Sequence, residues 1–221
     1  MPVDLLPFDL AGTWALEVIV TSSSRAPIIG EVRSASRSRM LVKVTEQGGA
    51  WNQHQEVCTS SLEGGSKLAK TVIPPAWVKA MRPQAYTVTL VATEEGWAYV
   101  ADTGVQTIGY DAALGPLPAR GADAQVVDAD EDGHPGATVF IEVPGFGRGE
   151  IYIAHRGHSR LEGRVVSPER IEGQVVMLES AQATIGASHK VFDFSPVTHP
   201  DPLRSTFAMW RVAAGTECDR I

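Results

Sequence analysis

Short runs in which apolar and polar residues alternate recur along most of the chain, and no other feature restricts its fold so strongly. A period of two places successive side chains on opposite faces, which is the pattern of a half-buried strand. Trp14, Leu16, Val18 and Val20 share one side of the first run. Met40, Val42 and Val44 do so in the second, and Gln53, Gln55 and Val57 in the third. Tyr86, Val88, Leu90 and Ala92 form a fourth, which a Glu94-Glu95-Gly96 turn separates from a fifth at 97–100. Further strand-like stretches occupy 138–143, 150–154, 159–166, 170–178 and 206–212. Gly163 and Gly173 inside such stretches predict bulges or tight curvature. Many short strands with closely spaced turns predict an all-β sandwich or barrel.

One helix is expected. Pro74 and Pro75 suit a first helical turn, the helical run reaches Met81, and Pro83 stops it. Its place is across a barrel end or on the outside. The segment 102–126 reads as weakly structured, 194–202 as a long connection, and the basic stretch 33–39, interspersed with Ser and Ala, as the exposed side of a strand or loop. A length of 221 residues fits one all-β domain, so residues 1–221 are taken as a single unit.

Charge and hydropathy exclude several partners. The net charge is −7, and Lys and Arg form no cluster, so nucleic acid is not an expected partner. No apolar run approaches the roughly 18 residues of a transmembrane helix. The opening Met1-Pro2-Val3-Asp4 lacks signal-peptide character, which leaves an intracellular protein or one whose signal has been removed. Cys58 and Cys218 are either two buried thiols or one disulfide that ties down the C-terminus. A disulfide would indicate an oxidising compartment, secreted or periplasmic and cell-envelope.

The ends of the chain carry a resemblance. Gly12-Thr13-Trp14 is similar to the Gly-x-Trp opening of the lipocalins and the wider calycin group. In that family the Trp packs at the closed end of the barrel under an Arg near the last strand, a role the resemblance assigns to Arg211. Many lipocalins also tie a C-terminal segment to a mid-barrel strand, which the resemblance maps onto Cys58 and Cys218. It implies an antiparallel closed β-barrel of about 8–10 strands with one short helix, enclosing a small hydrophobic molecule. Trp51, His54, Trp97, Tyr99, Phe140 and Tyr152 are the candidate lining, although each is equally suited to an ordinary core. The chain is longer than a minimal lipocalin and has no clear helix before its last strand.

Asp128, Asp130 and Asp132 followed by Gly133 form the sharpest local motif. Carboxylates at alternate positions before a glycine wrap oxygen ligands around a hard cation, here Ca²⁺. The motif resembles the calcium loops of EF-hands and of thrombospondin-type or dockerin-type repeats. The EF-hand's twelfth-position Glu is replaced by Val139, so His134 through its carbonyl, Glu142 or Asp123 is expected to complete the shell. The alternative is a solvated acidic hairpin.

No catalytic residue is assigned. There is no G-x-S-x-G, no HExxH and no CxxC. His155 and His158 would share a metal only if Gly157 made a turn. Gly145, Gly147 and Gly149 read as a hairpin loop. The expected function is binding of a small hydrophobic ligand in a calcium-stabilised barrel. The alternatives are an enzyme (isomerase, cyclase or hydrolase) using the same cavity, or a structural extracellular protein with a filled barrel.

Overall fold

A computed structural model describes residues 9–26, 30–64, 69–145 and 147–221. Residues 1–4, read above for a targeting segment, and Phe146 of the glycine-rich loop lie outside that set. The strands are β1 (Gly12–Ala26), β2 (Gly30–Gln47), β3 (Ala50–Gly64), β4 (Lys70–Val72), β5 (Gln84–Thr93), β6 (Gly96–Ile108), β7 (Ala137–Val143), β8 (Gly147–Ser167), β9 (Arg170–Ala187), β10 (Val197–Pro200) and β11 (Thr206–Arg211). They make one antiparallel sheet whose pairings close on themselves. The ring runs β1-β2-β3-β5-β6-β8-β9-β11 and back to β1. Residues 155–164 of β8 pair with β6, and residues 147–153 of the same edge pair with β7, which in turn pairs with β4. A side sheet thus grows out of the ring.

The all-β expectation therefore stands, with several segments longer than read. The stretches 150–154 and 159–166 are one continuous strand, β8, with register shifts at 152/153, 158/159 and 165/167. Gly157 lies within it and makes no turn. Asp102 to Ile108, expected to be weakly structured, completes β6. The Ser-rich arms of β1 and β2 pair from Gly12↔Val44 to Ala26↔Gly30. Their polar side chains gave no apolar–polar alternation, and only the basic 33–39 stretch suggested an exposed side. The register assigns the faces instead.

Gly163 and Gly173 stand opposite one another where β8 meets β9. A Cβ on either would approach the Phe207 ring to 2.8 and 2.7 Å. The two bare backbones let Phe207 of β11 lie against the seam, and this is how the ring closes tightly there. The end of the ring reached by the start of β1 and the end of β11 is solid. Leu10, Trp14, Leu16, Met40, Val42, Val44, Leu161, Ile171 and Met209 are buried there in one cluster. The Arg211 guanidinium lies 4.5 Å from the Trp14 ring centroid and donates to the Ala11 and Asp9 carbonyls at 2.8 and 2.6 Å. Such a cation–π contact contributes about 0.5–2 kcal/mol.

Outward rows carry charge. Glu17 pairs with Arg37 at 2.8 Å and Arg39 at 3.0 Å, Arg37 with Glu63 at 2.9 Å, and Arg156 with Glu179 at 2.7 Å. A strand wall facing lipid presents an apolar band instead. No helix of the described residues is long and apolar enough to cross a membrane.

The single α-helix among the described residues, α1 (Pro75–Ala80), has Pro74 as its N-cap. It bridges β3 and β7 and buries Trp77 against Ala137, Val139 and Ile153. The connection from β6 to β7 covers the other face of the side sheet. Tyr110, Leu117 and Val126 pack there on Tyr152, Ala154 and Ile185. Cys58 of β3 and Cys218 are joined in a disulfide.

Candidate functional site

The acidic loop lies at the end of that connection, just before β7. Its backbone folds around its own carboxylates. Asp128 accepts the Asp132 and Gly133 N–H groups at 3.2 and 2.8 Å. Asp132 accepts the His134 N–H at 2.8 Å, and Asp130 accepts the Thr138 N–H at 2.9 Å. Gly133, at φ +86°, makes the bend. Glu131, at φ 59°, is the one non-glycine residue among the described residues with a positive φ, so the loop holds a conformation that a free chain seldom adopts.

These bonds converge three carboxylates. One oxygen from each of Asp128, Asp130 and Asp132 lies within 4.8 Å of the others. Asp130 is the innermost. Its Oδ1 is buried with no hydrogen-bond partner. Burial first, and then the neighbouring Asp132 and Asp128, pushes its carboxyl above the usual range. An orphaned carboxylate oxygen facing like charges is the environment that a divalent cation relieves, so the donor set fits a hard, oxygen-seeking ion.

Of the expected completing ligands, Glu142 and Asp123 are engaged elsewhere, whereas His134 was expected to act through its carbonyl and its ring is turned to other partners. The His134 ring stacks on Tyr152 with centroids 4.6 Å apart, and its Nε2 lies 3.7 Å from Glu150 Oε2. Tyr152 also donates to Glu150 at 3.1 Å, and burial helps push its hydroxyl up to about 12. His134 therefore has only its main chain to offer the loop. Glu142 sits at the far end of β7, opposite Arg148 and Lys70. Asp123 accepts the Ala119 and Arg120 N–H groups in its own turn. Among the described residues the three aspartates alone form a cluster of metal-ligating type.

The ring interior is the second candidate. Trp51 packs against the main core and Tyr99 is buried in it, while Trp97 is half-buried on the same side of β6 as Tyr99. The other three expected lining residues lie elsewhere. His54 is exposed on β3. Phe140 is on β7 with the Arg148 guanidinium 3.5 Å over its ring. Tyr152 belongs to the cluster beneath the long connection.

Apart from Tyr99, the residues that occupy the middle of the ring were not among the expected lining. Tyr99 donates to Gln53 at 2.6 Å, Gln53 to Tyr86 at 2.9 Å, Tyr86 to Gln55 at 2.7 Å, and Gln55 to Gln84 at 2.8 Å. Gln106 also donates to Gln84. Gln53 is fully buried. Burial raises the Tyr86 and Tyr99 hydroxyls, so both stay protonated donors. The signal was present: Gln53 and Gln55 fall in the row continued by Val57, and two glutamines on an inward row need buried partners. His155 lies opposite Ile108 of β6, and burial holds its imidazole below 6.5 and neutral. His158 instead bonds Asp102 at 2.6 Å on the outside, so the two histidines do not share a site.

No family model matches the chain, and no curated protein matches it.

Proposed function

We propose that this chain is a lipocalin-like barrel, stabilised by Ca²⁺ at Asp128, Asp130 and Asp132, that holds a small hydrophobic ligand in the open half of its ring. The observation that carries the ligand reading is a division inside the ring. One end is solid, capped by Trp14 and Arg211. Towards the other end the inward-facing Val18, Val20 and Val57 are only half-buried and offer apolar surface. The orphaned Asp130 Oδ1 supports the cation. The Cys58–Cys218 disulfide supports a secreted or periplasmic, cell-envelope location.

Native mass spectrometry with and without a chelator tests the ion. One bound Ca²⁺, lost on chelation together with a lower melting temperature, is expected. A chelator that changes neither mass nor melting temperature overturns it. The neutral dye N-phenyl-1-naphthylamine tests the cavity through the rise in its fluorescence on entering apolar surroundings. Absence of any rise would favour the structural reading, which the solid end of the ring also supports. For an enzyme, titratable groups should converge inside. The Tyr–Gln relay contains no carboxylate, which favours binding over catalysis.

A further inference from the structure

Resting on the reading of the ring as a ligand barrel, we infer that its ligand bears an uncharged hydrogen-bonding group, a hydroxyl, amide or ketone, received by Gln84 and Gln106 at the end of the buried relay. The relay is directional. From Tyr99 outward, each group donates to the next, until two amide nitrogens converge on the Gln84 side-chain oxygen. That polarity leaves a defined remainder at its outer end. The Gln84 amide nitrogen and the Gln106 amide oxygen are not used within the relay, so one donor and one acceptor stand side by side on half-buried residues. Their positions are held from beneath by fully paired neighbours, which is the preorganisation a recognition site requires.

The surroundings decide the charge of what fits. On β1 and β2 the inward-facing residues of this half include Val18, Val20, Ser22 and Ser24, with their partners Ser38, Ser36, Ser34 and Val32. Ser60 and Leu62 continue the row on β3. None of these carries a charge, and His155, a titratable side chain that β8 turns to the same side as Gly157 opposite Gln106, is held neutral by burial. The acids and bases of the same strands, Glu17, Arg37, Arg39 and Glu63, pair with one another on the outward rows. A carboxylate or ammonium head group would lose its water without gaining a counter-charge, whereas a hydroxyl or amide exchanges its water for the glutamine pair. Val18, Val20 and Val57 on the inward rows of the ring suit an apolar body, so the ligand class is a neutral amphiphile and not a fatty acid or an amine.

The test uses the disulfide-bonded, calcium-loaded full chain, with 1-decanol, decanoate and decylammonium competing against N-phenyl-1-naphthylamine at pH 8. Decanol is expected to displace the dye at about tenfold lower concentration than either ion, since a site built around hydrogen bonds discriminates by at least this much. Gln84→Leu should weaken decanol about fivefold more than it weakens the dye. Gln106→Leu, farther from the buried end of the relay, provides the same readout should Gln84→Leu not fold. Dye binding with decanoate competing as well as decanol overturns this inference and leaves the barrel reading intact. Absence of both dye and decanol binding overturns both.

Discussion

The two ends of the ring are made from the same strands and solve opposite problems. At the closed end β1, β2 and β11 turn inward Trp14, Leu16, Val42 and Met209, and almost nothing there touches water. Towards the open end β1 and β2 turn inward Val20, Ser22, Ser34 and Ser36, all half-buried. Between them lies the Tyr–Gln relay, which lets polar groups enter the interior without an unmet hydrogen bond. One end carries most of the burial and the other little of it, because hydrophobic burial scales with apolar area removed from water and the serine rows remove little.

The largest expected effect sharpens that contrast directly. Trp14→Ala should lower stability by about 3–5 kcal/mol in urea unfolding, through lost burial and a cavity. Ser36→Ala, on the same inward face at the other end, should change it by less than about 0.5 kcal/mol. Similar losses for the two would break the division.

Next comes the disulfide. Replacing Cys58 and Cys218 by Ser should cost about 2–5 kcal/mol, since the bridge spans a sequence separation of 160. Thermal unfolding with and without a reductant provides the measurement.

Gln53→Leu tests the boundary between the ends. It removes the acceptor for the Tyr99 hydroxyl and a donor to Tyr86, and should lose about 1–3 kcal/mol. Adding Tyr99→Phe should recover part of this in a double-mutant cycle. Strict additivity would show that the relay is not a unit.

The smallest effect is in pH. Burial holds His155 below its ordinary 6.5, so the folded protein binds fewer protons than the unfolded chain. Its contribution to stability is complete above pH 6.5 and is lost as pH falls through the depressed value. His155→Gln should flatten the decline below pH 6.5. The depressed carboxyls of Glu17 and Asp102 act with the same sign, only in the more acidic carboxylate range.

Legibility followed burial. Trp14, Val42, Tyr99 and Ile171 lie on faces with water on one side only, and their alternation showed the strands directly. The upper halves of β1 and β2 bury little on either face, so apolar alternation fades there and only the basic 33–39 stretch signalled an exposed side. His155 and His158 could share a metal only across a turn at Gly157; the strand runs on there, and residues three apart on it fall on opposite faces, one inside and the other outside. The acidic loop was legible because its motif is local, with all its carboxylates within a few residues. The relay was not, because its members come from β3, β5 and β6.

The sequence by itself determined the strand-rich class, the Asp128, Asp130 and Asp132 cluster, and the short helix after Pro74. Each depends on a residue's own chemistry or on neighbours close in the chain. Only the tertiary structure decided that β8 and β9 close the ring, that Glu142 and Asp123 stand away from the acidic loop, and that Gln53, Tyr86 and Gln84 form one relay. Strand pairing is a long-range choice set by the summed packing of both partners. A one-residue change of register exchanges the inside of a strand for its outside, and that choice is not written in either strand alone.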